Sequence, residues 1–222
     1  MKTKNRILFV ISLIPLIITA ISFIFMNDTT PVHFGINGQA DRYGSKFEYL
    51  ILPLVTLGSL VLWKLVIKFY SKSNTEDVEK ANSNIKALTI FAIATNALFT
   101  VLQCIFIIIA LTHQTNSNAT IDFTPLIVYA LSIFYIIIGN YLPKTKRNSF
   151  AGLRTEWTKK SDRNWYIANR NSGIAFVISG ILSIIATAIV GGSISIFIML
   201  VILFVTQIIA YIYSYIKASK TN

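Results

Sequence analysis

Residues 87–111 read ALTIFAIATNALFTVLQCIFIIIAL, a run without one charged side chain. A helix needs about 20 predominantly apolar residues to cross roughly 30 Å of hydrocarbon. This stretch is long enough, and its reading governs the rest of the chain. If it spans a membrane, comparable runs elsewhere must be weighed as spans before any soluble fold is considered.

Five more such runs are present, at about Ile7–Phe25, Tyr49–Phe69, Phe123–Leu142, Gly173–Val190 and Ile194–Tyr215. The chain is 54% hydrophobic and only 13% charged, with a mean hydropathy of +0.63. Soluble domains carry about 25% charged residues. The expected fold is therefore all-α and polytopic, with six transmembrane helices. Lys64 and Lys68 lie near one end of the second run, where long stems reach the headgroups. Lys2, Lys4 and Arg6 precede the first run like a signal-peptide n-region, but that run is too long for an h-region and no A-x-A site follows, so it reads as an uncleaved helix. The single cysteine, Cys104, falls mid-span and reads as a small core residue, with no partner for an intramolecular disulfide.

The net charge of +11 would suggest nucleic acid in a soluble protein. Divided by loop, it says something else. Eighteen of the 20 Lys and Arg residues fall in the termini and alternate loops, and only Arg42 and Lys46 fall on the opposite side. The positive-inside rule then places both termini in the cytoplasm. The basicity is mostly a topology signal, so contact with membrane lipid is expected and direct nucleic-acid binding is not.

The first outer loop, NDTTPVHFGINGQADRYGSKFE, covers residues 27–48. Gly35, Gly38 and Gly44 permit backbone conformations that other residues resist. His33, Phe34, Asn37, Asp41, Arg42 and Tyr43 offer polar and aromatic contacts. Ser45-x-x-Glu48 ahead of an apolar run is a capping-box pattern, which starts the second helix near Lys46. The loop reads equally as a folded lid or as a recognition surface. His33 and Asp41 are too few for a zinc site, and no cofactor or metal is implied. The other outer loop, from Thr112 to Asp122, is short and polar, and its Asn118-Ala-Thr matches a glycosylation sequon.

No Asp, Glu, Arg or His falls in the middle of a run. Pumps, proton-coupled transporters and intramembrane hydrolases usually keep ionisable groups there, so the chain reads as no enzyme. The spans do hold Asn96, Gln103, Asn140 and Gln207. Ala92, Asn96, Thr100 and Cys104 share one face of the third helix, and Ala175, Ser179, Ser183 and Thr187 share one face of the fifth. Such ridges let helices approach closely, or form a hydrophilic seam.

Of the inner segments, residues 71–86 read as a solvated cytoplasmic linker, with Ser73-x-x-Glu76 as a possible cap. Residues 143–172 read differently. Pro143 can stop the fourth helix, Phe150, Leu153 and Trp157 sit among polar residues, and Ser161 can cap a helix beginning at Asp162. On that helix Trp165, Ala168, Asn169 and Ser172 share a face, and it can run straight into the fifth span. The simplest reading is an amphipathic segment lying on the membrane, although a loop of this length is often functional.

Gly139-Asn140-Tyr141-Leu142-Pro143, then Asn148-x-x-x-Gly152-x-Arg154-Thr155-x-Trp157-Thr158, then Trp165 and Gly173, resemble the SdpI family of bacterial membrane immunity proteins. Pro31-x-His33-Phe34-x-x-Asn37-Gly38-x-x-Asp41-Arg42-Tyr43-Gly44-Ser45-Lys46 resembles DUF1648, a domain that often precedes it. The implied organisation is a DUF1648-like region at 1–70, the linker at 71–86, and an SdpI-like region of four helices at 87–222 with its cytoplasmic loop at 143–172. Two positions depart from the pattern. Glu156 stands where the family usually has Pro, and Asn169 where a His is common.

The resemblance implies a plasma-membrane immunity protein that protects the cell from a secreted toxin peptide by binding or excluding it. The outer contacts would be His33, Phe34, Asn37, Gly38, Asp41, Arg42, Tyr43 and Lys46. The cytoplasmic motif, which would shape the loop or meet a partner, is Asn140, Pro143, Asn148, Gly152, Arg154, Thr155, Trp157, Thr158 and Trp165. The alternative is a signalling receptor that holds a cytoplasmic transcription repressor when toxin is bound. A transporter is the third reading.

Overall fold

The computed structural model describes residues 2–35, 40–73, 77–115 and 122–219. Seven α-helices run in the order α1 Lys2–Ser22, α2 Ile51–Ser73, α3 Val78–Thr115, α4 Thr124–Tyr141, α5 Glu156–Lys159, α6 Asp162–Val190 and α7 Ile194–Ser219. All but the one-turn α5 belong to spans long and apolar enough to cross a membrane, six among the described residues. This is an all-α polytopic membrane fold. It carries one addition, a hairpin of β1 Thr29–Phe34 and β2 Ala40–Ser45, followed by a 3-10 turn over Lys46–Leu50.

α3 is the spine of the bundle. Its 38 residues reach about 57 Å at 1.5 Å per residue, well beyond one hydrocarbon core. α1 and α2 pack on it as one group, while α4, α6 and α7 pack together as a second, joined through α3 and α4. Asn96, Gln103 and Gln207 act as ties between helices. Asn96 Oδ1 accepts from Ser12 Oγ at 3.2 Å, and its Nδ2 donates to Ser59 at 3.3 Å. Gln103 Nε2 donates to Thr19 Oγ1 at 2.8 Å and to the Tyr49 carbonyl at 3.1 Å. Ser172 and Gln207 bond at 2.7 Å, and Ser179 and Thr206 at 2.6 Å. Helix glue of this kind accounts for Asn96 and Thr100 on α3 and for Ser179 on α6, whereas Ser183 Oγ and Thr187 Oγ1 are buried with no hydrogen-bond partner among the described residues.

Several sequence expectations need correcting. Within the 27–48 segment, Thr29–Phe34 and Ala40–Ser45 pair as two antiparallel strands. Ser45 does cap the turn, accepting from Phe47 N, but Glu48 turns to Arg42 instead of closing a capping box. Gly44 does not have positive φ among the described residues; it leaves space, because a Cβ there would run into the Glu48 carboxylate. Residues 78–86 of the supposed linker are the first turns of α3, opened by Asp77, whose carboxylate accepts from Lys80 N at 2.9 Å. Ala81, Asn84 and Ile85 are buried there against Tyr70. Ser73 ends α2, and Glu76 lies outside the described residues, as do Asn37, Gly38 and Asn118. α3 also continues past Thr112, so His113 is a buried helical residue. Cys104 is half-buried.

Candidate functional site

Two regions hold the sequence-derived candidates, one at each end of the bundle. The first is the hairpin. β1 and β2 pair antiparallel from Thr29 with Ser45 to Phe34 with Ala40, with irregular register around His33. Three ties bolt it to the head of α2. Lys46 N donates to the Asp28 carbonyl at 3.0 Å, Tyr49 Oη donates to the Pro31 carbonyl at 2.6 Å, and Arg42 meets Glu48 at 3.0 Å. Lys46 Nζ lies 2.9 Å from Asp28, and its hydrogen bond and charge hold that carboxyl below its usual range. Asn27 N donates to Gln114 Oε1 at 2.6 Å, and the Phe34 ring lies 5.2 Å from that of His113, which ties the hairpin to the end of α3. Across the hairpin, His33 Nδ1 lies 2.5 Å from Asp41 Oδ1.

Beneath the hairpin is a groove of about 680 Å³, within the size range of small-ligand sites. α3 contributes Gln103, Phe106 and Ile109 to it. Val32, Phe34, Tyr49 and Leu52 line one side, and Phe123, Ile127 and Phe197 the other. Its polar atoms come from His33, Arg42, Glu48, Gln103 and Asp122. Of the eight outer candidates, the structure brings His33, Phe34 and Arg42 to this groove. Asp41 reaches it only through His33, while Tyr43 is exposed and Lys46 is turned to Asp28. The α4 and α7 residues could not be found from local signals, because nothing in Asp122–Ile127 or Ser193–Phe197 announces that these helix ends face a hairpin formed far earlier in the chain.

The second region is the motif at the basic end, and it is folded onto the bundle. Asn148 organises the chain around itself: Oδ1 accepts from Phe150 N at 2.7 Å and Ala151 N at 2.8 Å, and Nδ2 donates to the carbonyls of Lys146 and Ala151. Gly152 has φ +125°, and a Cβ there would lie 2.6 Å from Asn169 Oδ1 and 2.7 Å from the Trp165 ring. Asn169, fully buried, accepts from Leu153 N at 2.7 Å. Trp165 is also buried and donates from Nε1 to the Thr145 carbonyl at 2.9 Å. Thr155 and Thr158 form a reciprocal capping box around α5, and Ser161 caps α6, which runs unbroken into its span.

Most of the motif is thus occupied with shaping the loop. Trp157 sits edge-on to Tyr211 and Tyr215 of α7, 6.0 and 5.7 Å away. Arg154 donates to the Ser149 carbonyl. Pro143 begins the 3-10 turn that ends α4 and packs on Gly173. Asn140 stands apart, exposed and bonded to its own helix at the Ile136 carbonyl. Across residues 148–160, which form a folded platform, the exposed residues are Ser149, Phe150, Arg154, Glu156, Lys159 and Lys160.

Against this geometry, residues 144–214 match the model of the SdpI/YfhL protein family, and residues 10–57 match that of DUF1648, a domain of unknown function. No curated protein and no solved structure matches the chain. The first match takes in the platform together with α6 and most of α7. The second takes in α1 from residue 10, the hairpin and the first seven residues of α2.

Proposed function

From a chain with an SdpI/YfhL family region at residues 144–214 behind a DUF1648 region at residues 10–57, we propose a membrane immunity protein. It protects a bacterial plasma membrane from a secreted antimicrobial peptide, by binding the peptide or excluding it at the outer face. The family region supports a membrane immunity-type function. Charge asymmetry supports an orientation with the hairpin outside and both termini in the cytoplasm.

One observation carries the reading to a place on the molecule. The apolar groove under the hairpin is lined jointly by the DUF1648 region and by α4 and α7, so a peptide bound there touches both matched regions at once. Binding alone suffices, and no bond is made or broken. Expression in a toxin-sensitive bacterium tests the proposal. Cells carrying the protein should grow through peptide doses that kill the parent, and equal killing across a panel of membrane-permeabilising peptides would refute it.

A second reading is favoured by the basic platform. Its backbone is held rigidly from within, yet it presents Arg154, Lys159 and Lys160 outward. It suits a signalling receptor that captures a cytoplasmic transcription repressor. Alanine at Lys159 and Lys160 should then abolish capture and spare protection. Trp157 is a poor site for this test, because removing its ring also strips the packing on α7.

A further inference from the structure

The two ends of this chain differ in the sign of their charge. The protein is strongly basic overall, yet the segments at the hairpin end hold four acids, Asp28, Asp41, Glu48 and Asp122, against two bases, Arg42 and Lys46. Both bases are already engaged, Lys46 with Asp28 and Arg42 with Glu48. Among the described residues, two carboxylates therefore have no Lys or Arg in an ion pair with them: Asp41, whose neighbour is His33, and Asp122. Asp122 is half-buried and lines the groove. One of its oxygens accepts from Thr124 N at 2.8 Å.

The groove also has an open side. α2 packs on α1 and α3, and α7 on α4 and α6. Ile51 of α2 and Phe197 of α7 both line the groove, and both remain mostly exposed, at 61% and 58%. A ligand can therefore reach it between these two helices, from the side a membrane would occupy.

We infer that the groove takes an amphipathic, cationic peptide segment, with apolar side chains against Phe34, Leu52, Phe106 and Phe197 and a positive charge at Asp122. This rests on the immunity reading above and deepens it by naming the ligand's chemistry and the residue that selects it. A negative carboxylate at a largely apolar wall favours a cation and disfavours a net-anionic headgroup, which favours a cationic peptide over an anionic phospholipid as occupant. Asp122 is a specificity residue that the motif resemblance does not contain.

The test uses the full chain in phosphatidylcholine nanodiscs and two synthetic probes, a leucine–lysine amphipathic helix and its leucine–glutamate counterpart, with binding measured above empty discs. The lysine peptide should bind about tenfold more tightly than the glutamate peptide. Asp122→Asn should weaken it by roughly threefold to tenfold, while Asn keeps an oxygen for Thr124 N and leaves the melting temperature unchanged. Glu156→Gln, an acid removed from the opposite end, should change nothing. Equal binding of the two peptides, or an Asp122→Asn protein that binds like the parent, would overturn the inference while leaving the groove as a peptide site. Binding of neither peptide would also overturn it, and the killing assay would then judge the immunity reading separately.

Discussion

Gly139 and Gly173 meet backbone to backbone where α4 crosses α6. A Cβ on Gly139 would lie 2.5 Å from the Gly173 carbonyl oxygen, and a Cβ on Gly173 2.6 Å from that of Gly139. Two turns along the same contact, a Cβ on Gly180 would lie 2.5 Å from the Ser132 carbonyl. The obstacle is main chain in each case, which cannot swing aside as a side chain does. Helices without a hydrophobic drive to associate rely on this kind of close approach. Here it also sets the angle at which α6 delivers Trp165 and Asn169 to the platform.

Alanine at Gly139 or Gly173 should therefore destabilise the purified protein by about 1–3 kcal/mol each, the usual cost of overpacking. The double substitution should cost less than the sum, since both relieve the same contact by separating the helices. Gly58 is the contrast. A Cβ there meets nothing within 4 Å, so Gly58→Ala should be neutral or gain up to about 1 kcal/mol in helix propensity. Thermal denaturation in detergent reads all four.

Gly152→Ala meets two penalties together, a left-handed backbone and a Cβ driven into Trp165 and Asn169. The loop should lift off α6, lengthening or losing the bond from Trp165 to the Thr145 carbonyl. The expected readout is a red-shifted tryptophan emission with faster tryptic cleavage at Arg154, Lys159 and Lys160. An unchanged cleavage rate would mean that the loop is held by other contacts.

Glu156 departs from the family pattern, and the fold explains why the departure is tolerated. It is the first residue of α5, directly after the Thr155 cap. Proline suits that position because the N–H there has no helical partner, and an acid suits it because of the helix dipole. Thr155 is already extended, with φ −99° and ψ 169°, the conformation that a following proline prefers. Glu156→Pro should change stability by less than about 0.5 kcal/mol, measured by the same denaturation.

The spans were legible because lipid imposes one strong rule on long apolar runs. The hairpin was not, since Pro31, His33, Arg42 and Gly44 break any alternation and its register is irregular. The early start of α3 was hidden because residues 78–86 are polar on several sides, and their burial depends on Tyr70 and the platform. The motif was visible as a pattern, but its meaning was not. Asn148, Gly152 and Thr155 were open to two readings, shaping the loop or meeting a partner, and the structure spends them on the loop. The groove escaped notice because its walls come from six segments far apart in sequence, and only His33, Phe34 and Arg42 carried a local signal.

Asp28 offers a small pH test. Its pKa lies below 3.8 because Lys46 favours the charged form. A depressed carboxylate contributes stability above its unfolded pKa and loses it as pH falls through the folded value. Asp28 is exposed to solvent, so the effect on stability is slight. Lys46→Met should move the Asp28 titration back upward, followed by NMR of the labelled side chain. An unmoved titration would show that the pair does not persist in solution.

The central claim is that protection depends on the groove under the hairpin. Leu52→Trp fills that groove from α2 without touching the platform. The direct measurement is membrane potential in toxin-sensitive cells carrying matched amounts of parent or Leu52→Trp protein, before and after addition of a peptide the parent resists. The parent should hold its potential, and Leu52→Trp should depolarise like cells without the protein. A Leu52→Trp protein that protects as well as the parent would contradict the account.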